Sequence, residues 1–201
     1  MNGWDSFIVS PLDSRYNNTK KVGDVDLILN TEIFTHKNVS NNAIVVGLPK
    51  NKQTDIQVGD EVIIHHNVFR RWHDVRGVER NSKSFFEEDK YFVYEDQLYI
   101  YKHEDQWKSL DEYCFVKPIA NDDMFSLEKE KPLVGVVKYA NDVLNSKGVE
   151  VGDKVGFMPG SEFEFIIEDE LVYRVRTKSI TIKYEYEGEE REYNPSWVQG
   201  S

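Results

Sequence analysis

His65, His66 and His73 are the side chains of this sequence best suited to ligating a metal. A site needs three or four such ligands converging on one ion. His65 and His66 are adjacent in a β-branched run, where neighbours point to opposite faces of a strand. One ion is therefore not shared between them, and no second cysteine or spaced histidine pair completes a set, so no metal is predicted. Glu87-Glu88-Asp89 has the groups for acid–base catalysis, but it sits among turn formers and reads as solvated charge. No serine–histidine or paired-acid constellation stands out, so the chain is read as a non-enzyme with no cofactor of its own. Cys114 is the only cysteine. It lies between Tyr113 and Phe115 and reads as an inert core thiol. A lone cysteine permits no internal disulfide, which suits a reducing cytoplasm.

The remaining chemistry is that of contact. Residues from about 10 to 42 are rich in Asn, Asp, Lys and Thr, a composition that predicts a long mobile loop. Within it stand Val25, then Leu27-Ile28-Leu29, then Ile33-Phe34. Apolar side chains are costly to leave wet. Two readings follow: the segment packs on its own body as a short strand, or it docks into a partner's groove. A second long loop, about 68–86, carries Arg70, Arg71, Trp72, His73, Asp74, Arg76, Glu79, Arg80 and Lys83. It reads as a solvated hairpin, either plainly exposed or lining an opening in an assembly.

Composition narrows the partners. The chain has 201 residues and a net charge of −11. That charge disfavours nucleic acid and anionic membranes, since neither rewards a surface of its own sign. Arg70-Arg71 is only a pair. No apolar run approaches the ~20 residues of a membrane span, and no basic region followed by an apolar stretch opens the chain, so no signal peptide is expected. Hydrophobic residues make up 39%, enough for real cores.

The elements that must hold these loops are strands. Phe7-Ile8-Val9, Ala43-Ile44-Val45-Val46, Glu61-Val62-Ile63-Ile64, Tyr91-Phe92-Val93-Tyr94 and Leu98-Tyr99-Ile100-Tyr101 are short, β-branched or aromatic, and mostly bounded by turn residues. The second half supplies Tyr113–Val116, Val134–Val137, Lys154–Phe157, Phe163–Ile167, Leu171–Val175 and the alternating 179–184. No helical stripe is evident. The prediction is an all-β chain of barrels or sandwiches.

The halves also repeat. Val58-Gly59-Asp60-Glu61-Val62 returns as Val151-Gly152-Asp153-Lys154-Val155, 93 positions later. Asp5–Pro11 aligns with Glu112–Pro118 at an offset of 107, and Ala43-Ile44-Val45 with Gly135-Val136-Val137 at 92. Glu95–Tyr99 is aligned with Glu168–Val172 at 73. On these offsets the first copy has 14 extra residues before its turn (107 − 93) and 20 after it (93 − 73). Domains are expected at 1–108 and 109–201. Tyr193–Trp197 fits no element of the repeat.

A strand, a long loop with an apolar tripeptide, Ala43–Gly47, Val58–Ile64 and Tyr91–Leu98, in that order, resemble the GroES co-chaperonin family. The resemblance covers about residues 5–102 well and about 112–178 more weakly. The chain resembles a tandem, double-domain GroES-like co-chaperonin, and phages encode diverged co-chaperonins. It implies two β-barrel domains, of which the second is degenerate, and ring assembly. It also implies a mobile loop that binds the apical domains of a GroEL-type chaperonin, the partner on which ATP acts. Chaperonin-binding residues carried over are Leu27, Ile28 and Leu29, with Val25, Ile33 and Phe34 beside them. The family's adjacent glycine pair is missing, since Gly23-Asp24-Val25-Asp26 stands there. The second copy has only Ala120–Leu127 in place of the loop and is read as structural. Chaperonins of this type have seven subunits per ring, so one loop per chain implies a homo-heptamer. The alternative function is a phage structural or adaptor protein built from β-barrel modules, its long loop binding a virion or host partner.

Overall fold

The computed structural model describes residues 2–16, 19–22, 25–28, 39–123, 126–185, 188 and 190–198. Among the described residues the fold is all-β with one short α-helix. It divides into two compact units, Met1–Trp107 and Lys108–Ser201.

The first unit contains β1 (Phe7–Pro11), β2 (Thr19–Val22), β3 (Val25–Ile28), β4 (Asn42–Gly47), β5 (Glu61–Ile64), β6 (Arg71–His73), β7 (Glu79–Asn81), β8 (Phe85–Glu87), β9 (Lys90–Val93), β10 (Leu98–His103) and the start of β11 (Gln106–Ser109). The second contains β12 (Tyr113–Ala120), β13 (Glu130–Tyr139), α1 (Asp142–Ser146), β14 (Lys154–Phe157), β15 (Phe163–Ile167), β16 (Glu170–Arg176) and β17 (Ile180–Lys183). The first large sheet runs β11-β10-β5-β4-β1-β9-β8, and the second runs β17-β14-β13-β12-β16-β15. Leaving β11 aside, the two orders are the same. All neighbours whose registers are defined pair antiparallel, and neither ladder closes on itself among the described residues.

Register repeats as well as order. Val9 faces Val45, as Val116 faces Val137, with a bulge just before each. Ala43 faces Val62, as Gly135 faces Val155. Ile64 faces Leu98, as Phe157 faces Ile180, again beside a bulge in both. The cores follow. Cys114, Val116, Val137, Val149, Val155, Phe157 and Val175 form one cluster, covered by Leu144 of α1. Their counterparts Phe7, Val9, Val45, Ile56, Val62, Ile64 and Val93 are all buried. Each large apolar side chain so buried contributes ~1.5–3 kcal/mol.

One sequence alignment is corrected by the ladders. Tyr91 pairs with Val9 and Tyr173 with Val116, so the true offset there is 82, not 73. Glu168-Asp169 forms the β15–β16 turn, and its counterpart is Glu88-Asp89, not Glu95-Asp96. Asp89, Glu168 and Asp169 all take positive φ, as acidic turn residues can. Glu95–Gln97 instead forms the 3₁₀ turn into β10, matched by Thr177–Ser179 before β17. The extra material after the first Val-Gly-Asp turn is therefore 11 residues (93 − 82), and the β6–β7 hairpin falls within it.

That turn is built the same way twice. Gly59 has φ 101° and Gly152 φ 93°, a region that disfavours a side chain. Their amides donate to the carbonyls of Val45 and Val137, each at 2.8 Å. The Asp60 carboxylate accepts from the Gln57 amide and that of Asp153 from the Glu150 amide, both at 2.7 Å. A basic side chain from the last residue of the neighbouring strand then meets each carboxylate: His103 Nδ1 lies 2.8 Å from Asp60 Oδ1, and Lys183 Nζ 2.6 Å from Asp153 Oδ2.

Two outcomes test this turn. No atom lies within 4 Å of a Cβ added at Gly59 or Gly152, so alanine there costs only backbone strain. Gly59→Ala and Gly152→Ala should each lose about 1–2 kcal/mol in urea unfolding; unequal losses would break the equivalence of the turns. The hydrogen bond to Asp60 raises the His103 pKa above its ordinary value. The stability it adds is complete below about pH 6.5 and disappears as pH rises through the raised value. His103→Gln should therefore lower the unfolding midpoint more at pH 6 than at pH 9, and an equal effect at both would discount the charged pair.

Candidate functional site

The long connection of the first unit leaves from a fixed stem. Tyr16 and Val39 form a β-bridge, and the Ser40 amide donates to the Arg15 carbonyl at 2.9 Å. Tyr16, Val39 and Ser40 are all buried. The Arg71 amide donates to the Tyr16 hydroxyl at 2.7 Å. Arg15 donates to the Phe69 carbonyl at 3.0 Å and to the Asn81 amide oxygen at 3.1 Å. Its guanidinium also lies 5.1 Å from the Tyr91 ring centroid, and Arg71 lies 4.9 Å from that of Tyr16. Burial holds the Arg15 pKa below its ordinary value. These anchors are chemically unlike the tripeptide, and the sequence reading passed over them. Tyr16 and Val39, apolar residues isolated in a polar stretch, were the signal.

Beyond the stem, Val25, Leu27 and Ile28 lie on β3, which pairs with β2 through Val22–Val25, Lys20–Leu27 and Thr19–Ile28. This hairpin is a two-stranded sheet of its own and joins neither large ladder among the described residues. Leu29, Ile33 and Phe34 lie outside the described residues. The structure thus places three of the six predicted contact residues on one strand.

The charged loop after β5 forms the β6–β7 hairpin, with Trp72 facing Arg80 and His73 facing Glu79. Asp74 organises its tip, accepting from the amides of Arg76 and Val78 at 2.9 and 3.0 Å and from Arg80. The Val78 amide first, with the Arg76 amide and the Arg80 guanidinium, holds the Asp74 carboxyl below its ordinary pKa. Trp72, Val75 and Val78 are exposed on this hairpin.

The histidines depart from expectation. His66 opens a 3₁₀ turn rather than continuing the strand, so His65 and His66 do not point to opposite faces; their rings lie 4.4 Å apart. Among the described residues no group of three or more His, Cys, Asp or Glu converges. Cys114 is fully buried, and burial pushes its thiol up to about 12, which keeps it out of thiolate chemistry at neutral pH. No helix of the described residues is long and apolar enough to cross a membrane. No protein-family model matches the chain and no curated protein is significantly similar to it.

In the second unit, residues 121–129 join β12 to β13, without a long excursion. The chain end, unassigned from sequence, runs beside β12: Ala120 donates to the Arg191 carbonyl at 2.8 Å and Tyr193 to that of Pro118 at 2.9 Å. Asn194 accepts from the Leu171 amide. Val198, not Trp197, is the buried anchor.

Arg15→Met should remove the stem's polar clamp. A loss of roughly 1–3 kcal/mol is expected, with faster hydrogen exchange at the Ser40 and Arg71 amides than elsewhere in the unit. Unchanged exchange at both amides would show that the stem holds without Arg15.

Proposed function

We propose that this chain is a tandem co-chaperonin of the GroES kind, which caps a GroEL-type chaperonin and assists protein folding. One observation carries the reading. Two ladders share strand order and register, yet only the first sends a long connection out from between its first two ladder strands, and that connection bears the apolar residues. The larger of the two insertions in the first unit lies in an inter-strand connection, at the point where the family places its binding loop, and leaves the ladder pairing intact, as a functional insertion does. On this reading each six-strand ladder is the wall of a co-chaperonin barrel, and the second unit braces the dome.

The energetics suit a cap that must also leave. A segment that orders on binding loses entropy, so each loop binds modestly. Several loops in a ring recover affinity through multivalency. ATP acts on the chaperonin, which releases all loops together. One loop per chain matched to seven chaperonin subunits gives a homo-heptamer.

Mixing the chain with a GroEL-type chaperonin tests this directly. A nucleotide-dependent complex and an altered ATPase rate are expected. A virion or host adaptor would produce neither. Ile28→Asp should weaken each loop contact by ~1.5–3 kcal/mol and abolish capping while leaving the unfolding midpoint unchanged. Capping that survives both Ile28→Asp and Ile33→Asp would remove the tripeptide from the interface. Native mass spectrometry should give seven chains per ring; a trimer or tetramer would refute the count.

A further inference from the structure

The second unit carries an open groove of about 510 Å³. Tyr173, Tyr193 and Trp197 give it aromatic walls, and Glu130, Glu162 and Glu164 line it with carboxylates. Glu130 Oε1 accepts from the Tyr173 hydroxyl at 2.8 Å. Glu130 Oε2 and Glu162 Oε2 are buried with no hydrogen-bond partner. Burial, reinforced by Glu164, Glu162 and Glu128, pushes the Glu130 carboxyl above its ordinary value. Of the cations at the groove, Lys129 lines it from an exposed position, Lys131 turns to Glu190 at 3.2 Å, and Arg174 stacks over Phe163 and Tyr113 at 4.4 and 4.9 Å. Aromatic walls with unmatched carboxylate oxygens call for a cation.

The first unit shows which cation. Tyr91 occupies the register position of Tyr173. There the Arg15 guanidinium covers its ring, and Tyr91 is 1% exposed. Arg15 comes from the long connection, whereas residues 121–129 of the second unit contain no arginine. The same tyrosine therefore has a guanidinium from its own chain in one unit and an open groove in the other.

We propose that this groove receives the β6–β7 hairpin of a second copy, with the guanidinium of Arg76 set against Tyr173 and the Glu130–Glu162–Glu164 carboxylates. The hairpin carries Arg71, Arg76 and Arg80 against Asp74 and Glu79, a net positive segment on a chain of net charge −11. Arg76 sits at its tip, exposed and in no ion pair among the described residues. The exposed Trp72, Val75 and Val78 beside it match the groove's aromatic walls. Arg80 is unsuited to the role because it is held by Asp74. A contact joining one surface of a copy to a different surface of the next is heterologous, and it closes into a ring when the rotation per step divides a full turn. The inference deepens the ring assembly proposed above and rests on that reading for closure; the pairwise contact needs no chaperonin.

Sedimentation velocity of the full chain, alone and over a concentration series, tests the contact. Arg76→Glu and Glu164→Lys alter exposed residues; each should raise the concentration at half assembly about tenfold or more. The two changes together should recover most of the assembly. Far-ultraviolet circular dichroism should stay that of the parent for all three. Single variants that assemble like the parent would overturn the contact and leave a ring built some other way. A double variant that assembles no better than the singles would overturn the pairing. A parent chain that stays monomeric throughout would also overturn it, and the ring reading would fail as well only if no ring forms on the chaperonin.

Discussion

The carboxylate of the Val-Gly-Asp turn is the interaction on which both units depend. It caps its own turn from within, and a basic side chain at the end of the neighbouring strand meets it from without. The glycine before it bends the chain through positive φ and donates to the preceding strand, which sets the register of the two strands that follow the connection. Because side chains alternate along a strand, a slip of one residue there would turn every core position outward. The burial of Val45 and Val62, and of Val137 and Val155, rests on that one turn.

With register held in this way, the connections are free to differ. The ladders tolerate a long excursion after β1 and a hairpin after β5 because both insertions lie between strands and leave the pairing intact. The excursion is tied at its base by Arg15 and Tyr16, which reach the base of the β6–β7 hairpin at Arg71 and Asn81 and, just before it, the Phe69 carbonyl. The two insertions of the first unit are thus coupled at their roots. In the second unit the chain end takes a comparable tying role, running beside β12 and fastening the start of β16 through Asn194. There the tyrosine that Arg15 covers in the first unit looks into a groove.

Much of the strand content was legible from residue type. β-branched and aromatic runs between turn formers are strands in water for simple packing reasons, and the repeated Val-Gly-Asp turn paired the right elements up to β14. The later pairing was misread because Glu-Asp recurs wherever a turn needs a short acidic residue. Two chemically similar turns at different places in the ladder look alike in one dimension, and only strand pairing separates Glu88-Asp89 from Glu95-Asp96. His66 was misplaced for a related reason: the run that carries it is apolar and β-branched, and nothing local announces that a 3₁₀ turn begins there.

The sequence by itself determined that the chain is all-β, that it repeats, and where the extra material lies, since these follow from periodicity, turn chemistry and counting. The tertiary structure alone decided which tyrosine meets which arginine, how the loop stem is anchored, and where the chain end packs. Arg15 lies 76 positions from Tyr91 (91 − 15), and Pro118 lies 75 from Tyr193 (193 − 118). Contacts over such separations are set by register across several strands and leave no local pattern to read.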